Sequence, residues 1–441
     1  MNLSLTAQLA ATGLLAALLP LSVVLGATDA RRYGKLVAVT LFLTFDLIVF
    51  GGFTRLTDSG LGCPDWPGCY GQANPLQAHA DISAAQAAMP SGPVTVVKAW
   101  IEMIHRYLAM AVGVLIVALM ISAWWHWRRA RVVKRNLRAA IDQPAPASSA
   151  PASASSDSIF SASPLPASTS PAAQSPWLPT FLFGFVCLQG AFGAWTVTLK
   201  LQPVIVTIHL LLGLSLLGFL TWLQARQHPL ALPAPSADQA DTSMADSLAK
   251  MAALRWPAAL ALVLLAIQMA LGGWVSTNYA TLACTDFPLC HGQVIPEMDY
   301  THGFTLWRQL GMTASGDYLP FPALTAIHWT HRNFAFVVIA VVGWVAWRAR
   351  AMPAMRRNGN ALLGAIGLQF ATGVATVYLQ WPLALAVAHN AGAALLVLLL
   401  VMLNYKTVAT ARATRTAPAF PATASRPMPQ AGKAFSTPAK Q

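Results

Sequence analysis

Four histidines lie inside long apolar segments of this 441-residue chain, where ionisable side chains are costly and usually functional. Each lies 6 to 11 residues from the predicted outer start of its segment. Two imidazoles at similar depth on two helices of one bundle can bind one iron from opposite sides. The spacing therefore favours two haem sites, formed by His105 with His209 and by His331 with His389.

Other interpretations of these histidines stay open at this point. A buried histidine can serve only as a hydrogen-bonded packing residue. A zinc or copper site would need a tighter cluster with cysteine or carboxylate partners, and no two of the four histidines are spaced i, i+4. His328 competes with His331 as a ligand, because it lies three residues earlier on the same helix face. The repeat described next favours His331.

The sequence contains an internal repeat. Gly51-Gly52 is followed eleven residues later by Cys63, and Gly272-Gly273 is followed eleven residues later by Cys284. Other features recur in the same register: Cys69 and Cys290, His105-Arg106 and His331-Arg332, and a glutamine 20 residues before His209 and His389 (Gln189 and Gln369). The repeat predicts two four-helix units in parallel orientation, with an equivalent site in each.

The repeat is broken beside the first histidine pair. Glu102 lies three residues before His105, whereas the corresponding residue before His331 is His328. A carboxyl group beside a membrane haem can donate or accept protons. Glu102 is therefore predicted to be catalytic, with a reactive N-terminal site and a permanent cofactor in the C-terminal half. The alternative is an ion pair with Arg106 or Lys98.

Arginines and cysteines complete the candidate residues. Arg106 and Arg332 are expected either to pair with haem propionates or to extend to the outer membrane surface. The cysteine pairs, both spaced Cys-x5-Cys, predict local disulfides in an oxidising compartment, Cys63–Cys69 and Cys284–Cys290. These bridges are either structural or redox-active. A shared four-cysteine zinc site is disfavoured, because the spacing is not Cys-x2-Cys.

These residues must be positioned by membrane helices. The chain is 56% hydrophobic and 10% charged, and its apolar runs of about 20 residues are long enough to cross a bilayer. A net charge of +13 can indicate nucleic-acid binding, but the chain lacks the polar residues for a water-exposed face. The composition predicts an all-α integral membrane protein and excludes a soluble enzyme or a nucleic-acid-binding protein. Nine spans are predicted, near 3–26, 36–56, 98–124, 178–199, 203–224, 255–276, 320–347, 360–379 and 382–403.

Basic residues predict the orientation, since 22 of the 28 lysines and arginines fall on one set of termini and loops. That side is predicted to be cytoplasmic, with the C-terminus inside and the two long cysteine loops outside. The first span has no basic region before it and is predicted to be a retained helix, not a signal peptide.

The predicted organisation has two four-helix halves and several additional segments. Between residues 141 and 176, 27 of 36 residues are Ala, Ser or Pro, which predicts a disordered cytoplasmic insertion. The predicted regions are an N-terminal anchor helix (1–30), an N-terminal half (31–224), a cytoplasmic linker (225–254), a C-terminal half (255–404) and a disordered basic tail (405–441).

The chain resembles the bacterial haem A synthase family over about residues 36–404. The matching features are the segment 51–57 (Gly-Gly-Phe-Thr-Arg-Leu-Thr), the Cys63/Cys69 loop, Glu102-Met-Ile-His105-Arg106, His209, His331-Arg332 and His389. Some members continue the motif that begins at Glu102 with Gly and Arg, where this chain has Ala109-Met110.

The resemblance implies two pseudo-symmetric four-helix bundles in the bacterial inner membrane. It implies haem b as a cofactor on His331 and His389, and haem O as the substrate on His105 and His209, with Glu102 as the catalytic carboxylate. The implied reaction oxidises a ring methyl of haem O to a formyl group by successive hydroxylation, giving haem A for cytochrome oxidase.

Expected partners are the lipid bilayer, an electron donor, the enzyme that makes haem O and cytochrome oxidase assembly proteins, with self-association left open and no nucleic acid. Two alternatives are a di-haem b electron-transfer protein and a haem carrier or oxidase assembly factor. The unpaired Glu102 argues against simple electron transfer, which needs no carboxylate.

Overall fold

A computed structural model describes residues 4–142, 175–227 and 241–416. Every regular element in these ranges is a helix, and nine of the helices are long and apolar enough to cross a membrane. The prediction of an all-α, multi-pass membrane protein is therefore confirmed.

The long helices are α1 (Leu5–Leu25), α2 (Asp29–Leu56), α4 (Val96–Ile141), α5 (Trp177–Thr198), α6 (Pro203–Gln227), α8 (Arg255–Thr277), α10 (Phe321–Arg350), α11 (Arg356–Tyr378) and α12 (Leu383–Thr416). Three short α-helices lie between them: α3 (His79–Ala88), α7 (Asp241–Ala253) and α9 (Tyr300–Gly303). Local chemistry sets several boundaries. Thr95 caps α4 by accepting the N–H of Lys98 at 3.2 Å, and Asp299 caps α9 by accepting the N–H of His302 at 3.0 Å.

Eight of the long helices pack as two groups of four. Helices α2, α4, α5 and α6 contact one another in the N-terminal half, and α8, α10, α11 and α12 do so in the C-terminal half. The N-terminal core contains Leu115, Leu119 and Leu220, while the C-terminal core contains Val342 and Leu400. The halves meet through α2 and α6 on one side and α8 and α12 on the other.

Glycines permit this close approach between the halves. A Cβ on Gly52 would lie 3.4 Å from the Asn390 side chain on α12. A Cβ on Gly273 would lie 3.0 Å from Leu210 on α6. At the C-terminal ends of α2 and α8, Arg55 donates to the carbonyl of Ser276 at 2.7 Å, which ties these two helix ends together.

Helix α1 packs on α4 and α2 and contacts the N-terminal half. A Cβ on Gly13 would lie only 2.9 Å from the Cβ of Met110. Met110 is one of the two residues at which this chain departs from the family motif. The departure therefore lies where α1 packs against α4. Near the N-terminal end of α1, Leu9 packs in the hydrophobic cluster that contains Cys63 and Cys69.

Two predicted boundaries need correction. The segment 225–254 is not only a linker, because α7 occupies 241–253 and packs against α12. The tail does not begin at 405, because α12 continues to Thr416. Thr407 and Thr410 are buried in this extension, and each hydroxyl donates to a backbone carbonyl one turn earlier in the helix. Most of the predicted insertion (143–174) and of the tail (417–441) lies outside the described residues.

Candidate functional site

A cavity in the C-terminal half is lined by two of the predicted ligands, His331 on α10 and His389 on α12. Its walls are largely apolar and include Phe287, Phe336 and Phe370. The two histidines are half-buried and both face this cavity. Two histidines from facing helices of one apolar bundle form a donor set suited to a haem iron.

The N-terminal half brings its own pair together. His105 on α4 and His209 on α6 are half-buried and within electrostatic reach of each other. The ring of His105 stacks against Phe50 with centroids 6.3 Å apart. Gln189 on α5 holds the backbone of His209, because its amide nitrogen donates to the His209 carbonyl at 3.1 Å.

Each of the four imidazoles lies against a glycine of a neighbouring helix. Added Cβ atoms would approach the histidine Cε1 atoms to 2.9 Å or 3.1 Å. Any larger residue would therefore displace the ring. The matched pairs are Gly51 with His105, Gly193 with His209, Gly272 with His331 and Gly373 with His389. The first glycine of each Gly-Gly motif thus faces a histidine of its own half.

The halves differ in the polar partners of these rings. Thr372 Oγ1 lies 3.0 Å from Nδ1 of His389, and Gln268 Nε2 lies 3.2 Å from Nδ1 of His331. In the described part of the chain, the Nδ1 atoms of His105 and His209 are buried without any hydrogen-bond partner. The sequence interpretation did not single out Gln268 or Thr372. A position-by-position comparison of the repeats would have found them.

Glu102 contacts the loop that contains Cys63 and is only 4% exposed. Its carboxylate accepts the N–H of Cys63 at 2.8 Å and forms an ion pair with Arg106. The predicted alternative, an ion pair with Arg106, is therefore present in the structure. His328 has the same position in the C-terminal half, where its Nδ1 accepts the N–H of Cys284 at 3.2 Å.

The two arginines that were expected to contact propionates reach loop carbonyls. Arg106 donates to the carbonyls of Asp65 and Pro67 at 3.0 and 3.2 Å, and also to that of Gly68. Arg332 donates to the carbonyl of Leu289 at 3.1 Å. Its Nη1 is buried, has no partner in the described residues, and belongs to a side chain that lines the C-terminal cavity. The N–H groups on that nitrogen are suited to donate to a carboxylate such as a haem propionate.

Both long cysteine loops contain a disulfide, Cys63–Cys69 and Cys284–Cys290. An aspartate organises each loop from within. Asp65 accepts the N–H groups of Tyr70 and Gly71, and Asp286 accepts those of His291 and Gly292. The N–H of Gly292 and then that of His291 hold the pKa of Asp286 below its ordinary value.

The remaining histidines take part in local contacts. His302 pairs with Asp299, and His126 contacts the carbonyl of Ser122 at 2.7 Å. His228 lies outside the described residues. Within the described ranges, no group of three or more His, Cys, Asp or Glu side chains is placed to hold a metal ion. Such a cluster is what the zinc or copper alternative requires.

Comparisons with known proteins agree over most of the chain. The family model described as cytochrome oxidase assembly protein matches residues 34–401. The haem A synthase of Shewanella oneidensis is 34% identical over 372 residues, which cover 84% of this chain and 95% of that relative. The haem A synthases of Erythrobacter litoralis and Caulobacter sp. are each 27% identical, over 81% of this chain and 91% of each relative.

Proposed function

We propose a function from one premise: the chain belongs to the cytochrome oxidase assembly protein family, whose model spans residues 34–401. The chain is a haem A synthase, a membrane oxidoreductase that converts haem O to haem A. One observation carries this proposal: the chain has two matched histidine pairs, and each pair packs against two glycines. The chain that contains these pairs is similar to haem A synthases.

The N-terminal half binds the substrate. His105 and His209 hold haem O, and Gly51 and Gly193 leave room for the two imidazoles at the centre of the bundle. In successive hydroxylation, each step consumes dioxygen, two electrons from the donor and two protons, inserts one oxygen atom into a C–H bond and releases water. Loss of water from the resulting diol gives the formyl group. A proton-exchanging group beside this half is therefore required, and Glu102 is the acid that the repeat places there without a counterpart.

Glu102 works together with the outer loop. One of its oxygens is held by the Cys63 N–H and the other by Arg106, which in turn holds three carbonyls of the same loop. A proton that Glu102 exchanges therefore moves next to the loop that faces the outside. This arrangement gives Glu102 two functions, to close the loop over the site and to transfer protons.

The C-terminal half would hold haem b through His331 and His389, and the buried Nη1 of Arg332 would donate to a propionate. Haem b, when bound, supplies a one-electron redox centre beside the substrate half. The protein supplies the two ligands, the apolar walls that exclude water, and the polar contacts that orient the rings. The cysteine loops lie outside and the C-terminus lies in the cytoplasm, as the basic residues indicate.

Electrons reach the protein from a donor in the membrane or outside it. The enzyme that makes haem O and cytochrome oxidase assembly proteins are the proposed partners for supply and delivery, and the cysteine bridges are proposed to be structural. The two alternatives predict different pigments. An electron-transfer protein would hold haem b in both halves, and a carrier would hold haem O or haem A without interconverting them.

Pigments extracted from the purified full-length protein test the proposal. Cells that make haem O should yield protein containing haem b together with haem O and haem A or a hydroxylated intermediate. Haem b alone in both halves would contradict the proposal. Haem O without any oxidised product, in the presence of a reductant and oxygen, would favour the carrier alternative.

A further inference from the structure

The hydroxyl of Thr372 fixes one tautomer of His389. Its oxygen lies 3.0 Å from Nδ1 of His389, and its proton is donated to the carbonyl of Gln369 at 3.0 Å. Because the hydroxyl proton is already used, the oxygen can only accept a bond from an Nδ1–H. That tautomer leaves Nε2 unprotonated, which is the form of imidazole that binds iron. In the structure this Nε2 lies 3.2 Å from the amide nitrogen of Gln369, a donor that iron would replace.

Gln268 plays a corresponding part at His331. Its amide nitrogen lies 3.1 Å from the His331 carbonyl and 3.2 Å from Nδ1, so one side chain holds both the backbone and the ring. Its Oε1 is buried and has no partner within the described residues. In the structure this amide nitrogen can only donate, so Nδ1 of His331 is the acceptor. When Nε2 binds iron and Nδ1 carries the proton, the amide must rotate so that Oε1 accepts the Nδ1–H in place of the present Nε2 contact.

The N-terminal half has no such partners at the matched positions. Leu47 lies four residues before Gly51, as Gln268 lies four before Gly272. Phe192 lies three residues after Gln189, as Thr372 lies three after Gln369. Neither leucine nor phenylalanine can donate or accept a hydrogen bond. The buried, unpartnered Nδ1 atoms of the two N-terminal histidines are the direct consequence.

A hydrogen bond at the second ring nitrogen orients a histidine ligand and makes it a stronger donor, and its loss typically costs about 10- to 100-fold in metal affinity. We propose that Thr372 and Gln268 make the C-terminal pair a permanent haem site, whereas Phe192 and Leu47 leave the N-terminal pair exchangeable. This inference rests on the proposed function, in which haem O enters and haem A leaves at every turnover while haem b stays.

Haem retention tests the inference in the full-length protein. The variants are Thr372→Val, which removes the hydroxyl, and Gln268→Leu, which introduces the N-terminal residue type. Transfer of haem b to excess apomyoglobin gives the rate of haem loss, and a redox titration gives the reduction potential. We expect about 10-fold faster loss in each variant. The potential should rise, because a weaker imidazole donor stabilises the oxidised iron less.

Two controls separate positioning from packing. Thr372→Ser keeps the hydroxyl and should restore both the rate and the potential. Thr330→Val removes a hydroxyl beside His331 that bonds only the carbonyl of Ala326 at 2.7 Å, and it should leave both measurements unchanged. If Thr372→Val and Gln268→Leu match Thr330→Val in rate and potential, the inference is overturned.

The reverse substitution gives an independent measurement. Phe192→Thr introduces a hydroxyl at the position that matches Thr372, so haem O loaded into this variant should leave about 10-fold more slowly. An unchanged rate would count against the inference even if Thr372→Val did not fold. Absence of haem from the C-terminal half of the wild-type protein would instead contradict the proposed function.

Discussion

In the N-terminal half, His105 and His209 lie against glycines on neighbouring helices, at the same distances as His331 and His389 in the C-terminal half. The cysteine loops also match, since each contains a disulfide and an aspartate that accepts two backbone N–H groups. The geometry of the two sites is therefore duplicated. Their surroundings are not.

Three matched positions carry the difference. The N-terminal half has Leu47, Phe192 and Glu102 where the C-terminal half has Gln268, Thr372 and His328. Apolar neighbours leave the N-terminal imidazoles without Nδ1 partners, and the acid introduces an ion pair with Arg106. In both halves, glycines and histidines set the position of the imidazole rings. The residues around the rings differ, and they set the chemistry of each half.

Removing one histidine from each half should give the largest contrast. His389→Ala should abolish haem b binding and haem A formation together, because both depend on the C-terminal site. His209→Ala should abolish haem O binding and haem A formation while haem b stays at the wild-type level. Pigment extraction and a reduced-minus-oxidised spectrum measure both outcomes. Equal loss of haem b in the two variants would show that the halves do not bind separate haems.

Neutralising the acid should separate binding from reaction. Glu102→Gln retains an oxygen for the Cys63 N–H but loses the charge that pairs with Arg106 and the proton exchange. The variant should keep haem b, accumulate haem O and form at least about 100-fold less haem A, a loss at the low end of what removal of a general acid–base group costs.

The matched control for the acid is His328→Gln, which offers the Cys284 N–H an oxygen in the C-terminal half. Haem A formation should stay within about threefold of wild type in this control. Comparable losses in both variants would indicate that Glu102 only holds the loop.

Much of this comparison could be predicted from the sequence. Hydrophobic runs predicted the nine spans, and the repeat selected the four histidines that the structure sets against glycines. The role of His328 could not be predicted. Glutamate and histidine differ in charge, yet both can accept one N–H bond, and the shared contact becomes visible only when the loop is folded onto the helix.

Filling the space beside each histidine should give a smaller and local effect. Gly51→Ala places a Cβ 2.9 Å from His105 Cε1, and Gly272→Ala does the same at His331. Overpacking of this kind typically costs about 1–3 kcal/mol, or about 10-fold in occupancy of the affected site. Gly51→Ala should reduce bound haem O alone, and Gly272→Ala should reduce haem b alone.

Gly113→Ala is the matched control for the added methyl group, because nothing lies within 4 Å of its Cβ position. It should leave both pigments unchanged. Loss of both haems in either test variant would mean that the methyl group disrupts the bundle and not one site.

The smallest expected effect concerns the cysteine loop of the C-terminal half. The pKa of Asp286 is held below its ordinary value of 3.8 by the N–H groups of Gly292 and His291. Because the folded-state pKa is lower than the unfolded value, the carboxylate stabilises the loop above about pH 4, and this stabilisation is lost as the pH falls through the folded-state pKa. Hydrogen exchange of the loop amides should therefore accelerate in acid relative to the intrinsic rate.

Asp286→Asn tests this explanation, because it retains one acceptor oxygen but does not titrate. Its loop should exchange faster than wild type at neutral pH and show no further acceleration between pH 5 and pH 3 beyond the intrinsic rate. The glycine that follows each second cysteine by two residues adopts positive φ, 69° at Gly71 and 72° at Gly292, so both aspartates bind a similar backbone turn. An acid-induced change that persists in Asp286→Asn would assign the pH dependence to another group in the loop.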